Sequence, residues 1–199
     1  RQIGGMAWGD YDNDGDLDLA TGCYFSNSYP PIPEYEVLIY RNDNGILTTT
    51  PEWISTDMRS TTDVKFADLN GDEKPELIAA NGDNSFVPSV IYFNTETGLN
   101  NAPGWISQDN NWTVGEALCD IDDDGDLDLV ISHVNETASV IRNETNVLNP
   151  AYRYLKFSLK GIGKNPFALG SKITIEHNDQ LFSMEQIPNR GFESSVDPR

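Results

Sequence analysis

The stretch "GDYDNDGDLDL", residues 9–19, sets Asp10, Asp12, Asp14, Asp16 and Asp18 on alternate positions around one glycine, Gly15. Two unit charges about 4 Å apart repel by roughly 1 kcal/mol in water and by about 4 kcal/mol near a protein surface. Five carboxylates packed this closely need a cation to hold the loop together. Calcium suits them: it takes about six to eight hard oxygen ligands in a forgiving geometry, and alternate carboxylates on a tight loop supply these. Asp10, Asp12, Asp14 and Asp18 are the expected side-chain ligands, with Asp16 offering its backbone carbonyl, while Gly15 permits the left-handed turn that folds the loop around the ion.

The frame DxDxDGxxD occurs again at residues 120–128, where Asp120, Asp122, Asp124, Asp126 and Asp128 repeat the pattern with Gly125 at the turn. A third version, "DLNGDEKPE" at 68–76, offers Asp68, Asn70, Asp72 and Glu76, with the carbonyl of Lys74. It departs from the frame, because Glu73 stands where the others have glycine. A non-glycine residue at positive φ costs on the order of 1 kcal/mol, and Lys74 adds a local positive charge. Up to three Ca²⁺ ions are expected, the second held most weakly. An EF-hand begins similarly but needs a bidentate Glu at its twelfth position and flanking helices. Thr21, Ala79 and Ile131 occupy that position here, and the flanks "LDLAT", "PELIAA" and "LDLVIS" are strand-like.

These loops sit in a repeat. Asp10, Asp68 and Asp120 head the loops within "MAWGDYDNDGDLDLATG", "VKFADLNGDEKPELIAANG" and "EALCDIDDDGDLDLVISHV". A second landmark, Asn42, Asn94 and Asn143, follows in step, and a third, "PEWIS" and "PGWIS", carries Trp53 and Trp105. Short apolar runs broken by Gly, Asn, Asp and Pro read as strands, four to a unit: Val64–Ala67, Leu77–Ala80, Val90–Asn94 and Trp105–Ser107 in the second. Four strands in roughly 50 residues is the signature of a propeller blade. The expected fold is therefore all-β, with three four-stranded propeller-type blades followed by a small β module. Trp53 and Trp105 are expected to pack between blades. After about Pro150 the pattern changes: "YLKFSLKG" (154–161) alternates, and residues 171–187 read as two strands joined near Asn178 and Asp179. Residues 1–148 and 149–199 are thus expected as two modules.

Composition bounds the function. The 199 residues carry a formal charge of -19, from 13 basic and 32 acidic side chains. That balance disfavours nucleic acid and anionic membrane surfaces as partners, and no stretch has the length of a transmembrane helix, so membrane insertion is not expected. The opening "RQIGGMAWGD" enters directly into a repeat with no secretory leader, and reads as a processed product or a segment of something longer. Cys23 and Cys119 predict no disulfide; Cys119, in an apolar strand-like run, is expected as a buried free thiol.

The loops followed by a strand and a YxN-type element resemble the FG-GAP/VCBS repeats of integrin-like β-propellers, over residues 1 to about 148. The tail, through "YLKFSLKG", "ALGSKITI" and "RGFESSVDPR", resembles the ASPIC/UnbV module that often follows them. The resemblance implies a secreted or cell-surface protein whose calcium-bearing blades serve structure, adhesion or interaction, and it brings no catalytic residues. Three blades cannot close a ring, since propellers use about four to eight, and open arrays expose apolar end faces unless capped.

The expected function is a calcium-stabilised extracellular module that meets a protein or glycan partner. One alternative is a self-assembling fibre or scaffold subunit with head-to-tail contacts; another is a non-catalytic accessory part of a larger secreted enzyme. Catalysis by this chain is not expected. His133 and His177 lie in different modules, and no nucleophile motif, zinc spacing or phosphate-cradling loop occurs.

Overall fold

A computed structural model describes residues 2–24, 36–82, 87–149, 152–177 and 180–186. The first unit contains β1 (Gln2–Gly9), β2 (Asp18–Tyr24), β3 (Val37–Tyr40), the short hairpin β4 (Asn42–Asp43) and β5 (Ile46–Leu47), and β6 (Trp53–Ile54). The second repeats it with β7 (Thr61–Ala67), β8 (Glu76–Asn81), β9 (Val90–Tyr92), the hairpin β10 (Asn94–Thr95) and β11 (Gly98–Leu99), and β12 (Trp105–Ile106). The third holds β13 (Thr113–Cys119), β14 (Asp128–His133) and β15 (Ser139–Ile141), followed by the helical turn α1 (Thr145–Leu148). The tail forms the antiparallel hairpin β16 (Lys172–His177) and β17 (Gln180–Glu185).

Two units are four-stranded antiparallel sheets, β1-β2-β3-β6 and β7-β8-β9-β12, and the third is the three-stranded sheet β13-β14-β15. The expectation of four strands in each unit is corrected here. In the first two units a hairpin with a positive-φ glycine, Gly45 or Gly98, precedes the Trp-Ile strand. The third has neither. Asn143 leads instead into α1, whose Asn149 amide closes back on the Thr145 carbonyl. "YLKFSLKG" likewise forms no strand despite its alternation, and the turn expected at Asn178 and Asp179 lies outside the described residues.

The sheets stack face to face in chain order. Ala20, Val37, Ile39 and Trp53 of the first meet Val64, Leu77, Ala79, Val90 and Tyr92 of the second. The opposite face of the second sheet puts Ile78 and Ile91 against Leu129 and Ile131 of the third. Every residue of β8 is consequently buried, which is why "ELIAAN" reads as a continuous run rather than an alternation. Each first strand bends at the same point, with register breaks at Ile3/Gly5, Thr61/Asp63 and Thr113/Gly115. The first two sheets approach so closely that a Cβ on Gly5 would stand 2.6 Å from Asp63 Cα. Trp53 packs edge-to-face on Tyr92, ring centroids 5.2 Å apart, and donates its indole N–H to Leu99 O. It is an inter-blade packing residue, as expected.

Among the described residues, no sheet covers the outer faces of the first and third sheets. Met6 and Trp8 occupy the positions of Val64 and Phe66, which pack against the preceding sheet, and they are 63% and 49% exposed. The same geometry corrects Cys119: it is free but exposed. It aligns with Gly9, which meets Phe66 of the next sheet, and among the described residues no sheet stacks on that face of the third.

Glu116 breaks the pattern from within. It aligns with Met6 and Val64, is buried, and neither carboxylate oxygen has a hydrogen-bond partner. Burial, then the charge of Asp63, drives its pKa well above the usual range, with Lys65 opposing. A carboxyl whose folded pKa exceeds its unfolded value loses stability as pH climbs from the unfolded pKa toward the folded one. We expect Glu116→Val to raise Tm by several degrees at pH 8, on the basis of about 1–3 kcal/mol for an unsatisfied buried group. The gain should shrink markedly near pH 4, and scanning calorimetry at both pH values checks it; equal gains would show that ionisation is not the cause.

Candidate metal centre

Each acidic loop joins the first strand of its sheet to the second. The first and last carboxylates of the frame organise it. Asp10 Oδ2 accepts the Gly15 amide at 3.1 Å; Asp68 accepts Gly71 and Glu73 at 2.7 and 3.0 Å; Asp120 accepts Asp124 and Gly125 at 3.0 and 3.1 Å. At the ninth position Asp18, Glu76 and Asp128 are at most 1% exposed. Each accepts an amide from its own loop, Tyr11, Leu69 or Ile121, and another from the landmark asparagine, Asn42, Asn94 or Asn143. One buried carboxylate thus fastens the loop to the end of the third strand.

In the first loop, oxygens of Asp10, Asp12 and Asp18 lie within 4.8 Å of one another; in the third, those of Asp120, Asp122 and Asp124 do. These two clusters could hold a metal ion. Asp14 and Asp128, also expected as ligands, fall outside them; Asp14 Oδ1 accepts the Asp16 amide at 2.9 Å, and Asp128 makes the two amide contacts above. The fit to a cation is best in the first loop. Asp10 Oδ1 is buried and has no hydrogen-bond partner. Burial pushes the Asp10 carboxyl up to about 6, and burial with the charges of Asp12 and Asp14 pushes Asp18 up to about 7. A cation among them would stabilise the ionised forms and reverse both shifts.

Asp68, Asp72 and Glu76 of the second loop do not gather in this way. Asn70 Nδ2 donates to Glu76 Oε1 at 3.0 Å, so an amide stands where a cation would and closes the network. The seventh-position side chains are engaged away from the clusters: Asp126 is fully buried, while Asp16 and Lys74 are partly exposed. Asp16 accepts the Asn44 amide, Lys74 pairs with Glu96, and Asp126 accepts the Asn146 amide.

The third loop carries cations of its own. Arg142 pairs with Asp122 at 2.5 Å and lies 3.7 Å from Asp124. Lys156 Nζ is 2.7 Å from Asp120 Oδ2 and holds that carboxyl below the usual range.

The sequence marked Asn42, Asn94 and Asn143 as a repeat landmark without revealing their task. Beyond donating a main-chain amide to the ninth carboxylate, Asn94 Nδ2 donates to Tyr11 O, and Asn143 Nδ2 to Leu69 O, at 2.7 Å each. Each therefore ties its unit to the loop of the preceding unit.

Comparison with known families addresses the middle of the chain. Residues 69–131 match the family model for an FG-GAP-like repeat. The match runs from inside the second acidic loop into β14 and so covers the whole of the third loop. No curated protein matches the chain.

The backbone takes left-handed conformations twice in each loop: Asn13 and Gly15, Gly71 and Glu73, Asp123 and Gly125. Glu73, at φ +70°, does adopt the strained conformation expected of it. Gly71 combines positive φ with a Cβ position filled by the Tyr152 ring. We expect Gly71→Ala to cost on the order of 2 kcal/mol or more, while Gly98→Ala, at positive φ in open space, should cost about 1 kcal/mol. Urea unfolding of the two variants measures the difference, and equal costs would remove the Tyr152 contact from the account.

Proposed function

We propose that the first and third acidic loops are structural calcium sites in an extracellular β-repeat module that binds a protein or glycan partner. The observation that supports this most is the Asp10–Asp12–Asp18 cluster with its buried, unpartnered Asp10 oxygen. Asp10, Asp12 and Asp18 would hold the ion in the first loop, and Asp120, Asp122 and Asp124 in the third. Bound calcium would supply charge neutralisation, letting the loop close and setting the start of the second strand. Magnesium is the poorer fit, since it keeps its waters and rarely takes an all-protein cage.

The extracellular assignment follows the FG-GAP-like match, and no helix among the described residues is long and apolar enough to cross a membrane. The tail we read as an ASPIC/UnbV-like module on its sequence motifs, with the boundary near residue 148. A non-catalytic role fits the histidines: His133 is held by Thr113, Ser139 and Asp109, and His177 by Glu73.

Calcium that binds only the native state should raise stability by about 2.7 kcal/mol at a hundredfold excess over Kd, or roughly 5–10 °C in Tm for a chain of this size. Asp10→Asn should abolish most of that gain. Thermal unfolding in excess calcium and in excess chelator is the check, and identical melting curves would defeat the proposal.

The exposed Met6 and Trp8 support a second reading, in which the outer face of the first sheet stacks on another copy. Light scattering at increasing concentration should then show association that Met6→Ser with Trp8→Ser abolishes; a monomer at every concentration would exclude it.

A further inference from the structure

The segment after the third sheet lies across all three acidic loops. The Tyr152 ring fills the space beside Gly71, and the Tyr154 ring that beside Gly125. His177 Nδ1 is 3.1 Å from Glu73 Oε1. Lys172 Nζ and Ser183 Oγ both donate to Gly15 O, at 2.7 and 3.0 Å. Lys156 reaches furthest into a loop, standing 2.7 Å from Asp120 and 2.6 Å from Asp123.

The first and third loops therefore differ in one respect. Among the described residues, Asp10, Asp12 and Asp18 form no ion pair, whereas Asp120 and Asp122 are paired with Lys156 and Arg142. Lys156 contacts the same carboxylate that the metal cluster of the third loop requires. An ammonium and a divalent ion sharing the Asp120 carboxylate at hydrogen-bond distance repel strongly.

We propose that Lys156 is a chain-borne counter-cation for the third loop, and that a divalent ion enters this loop by displacing it together with the docked segment 152–156. This rests on the assignment of the loops as calcium sites. The first loop is then the tighter site. The third fills at higher calcium, and its filling frees the Tyr152–Lys156 stretch from the loop face. The coupling is reciprocal: whatever pulls that stretch away tightens calcium binding in the third loop by the same factor.

The test is calorimetric titration of the full chain with calcium chloride, using Asp10→Asn to silence the first loop. Lys156→Met keeps the aliphatic stem and removes the charge; the side chain is 54% exposed, so folding should survive. In the Asp10→Asn background, Lys156→Met should tighten third-loop binding about three- to tenfold, and Lys156→Arg should restore the weaker affinity. Unchanged or weaker binding in Lys156→Met, with calcium still bound by the parent, would overturn the role of Lys156 alone. Absence of binding in the unmutated chain and every variant would overturn the calcium assignment and this proposal with it.

Discussion

The structure depends on a buried carboxylate at the ninth position of each loop. Asp18, Glu76 and Asp128 are taken out of water at the start of a second strand, where an ionised carboxylate is costly unless it is compensated. Two backbone amides compensate each one in part, and they come from different places: the start of the loop and the residue beyond the third strand. The carboxylate thereby fixes the span between first and second strands and the point at which the third strand ends. An asparagine or glutamine would present one oxygen and an N–H₂ group to two donors, so the amide contacts could not both be kept.

That local knot is carried into the packing between sheets through the landmark asparagines. The residue whose main-chain amide serves the ninth carboxylate uses its side-chain amide to hold the loop of the preceding unit, in Asn94 and again in Asn143. A loop that opened would therefore lose its own closure and its grip on its neighbour. Beneath this polar seam the apolar residues of β8 serve two cores at once, Leu77 and Ala79 on one side and Ile78 on the other. Among the described residues only the middle of the three stacked sheets has both faces covered, which is why its second strand is buried throughout while Met6 and Trp8 of the first sheet are exposed.

Much of this was legible in the sequence because it repeats. Periodic aspartates marked the loops and β-branched runs marked the strands, but the repeat also led to a fourth strand being expected in the last unit, which has no third Trp-Ile segment to form it. The exposure of Cys119 was not legible, because local apolarity says nothing about whether another sheet follows. "YLKFSLKG" misled for a related reason: its alternation gives a strand only where a partner edge exists, and its Tyr154 and Lys156 instead rest on the third loop. Glu73 at positive φ could be read from the glycine it replaces. The compensating Gly71 could not be recognised without the backbone angles, since glycine two residues earlier falls outside the DxDxDG frame. Convergence of side chains was the least legible feature of all. The three frames look alike in sequence, yet only two gather three carboxylates.

The difference among the loops is a difference in how the same charge is neutralised. The first concentrates carboxylates and leaves a buried oxygen of Asp10 without a donor, a geometry that suits an exogenous cation. The second substitutes Asn70 for an aspartate, uses its N–H₂ to satisfy Glu76, and sends Lys74 to Glu96, so hydrogen bonds carry what an ion would. The third keeps six acidic residues, 120, 122, 123, 124, 126 and 128, but recruits Arg142 from beyond its third strand and Lys156 from the tail. A repeat need not preserve its ligand to preserve its fold; it needs some positive or donating group where the carboxylates meet. The tail has reason to cross this face on those grounds, since the loops present carboxylates and uncovered carbonyls there, and Lys156, Lys172 and Ser183 bring the matching donors.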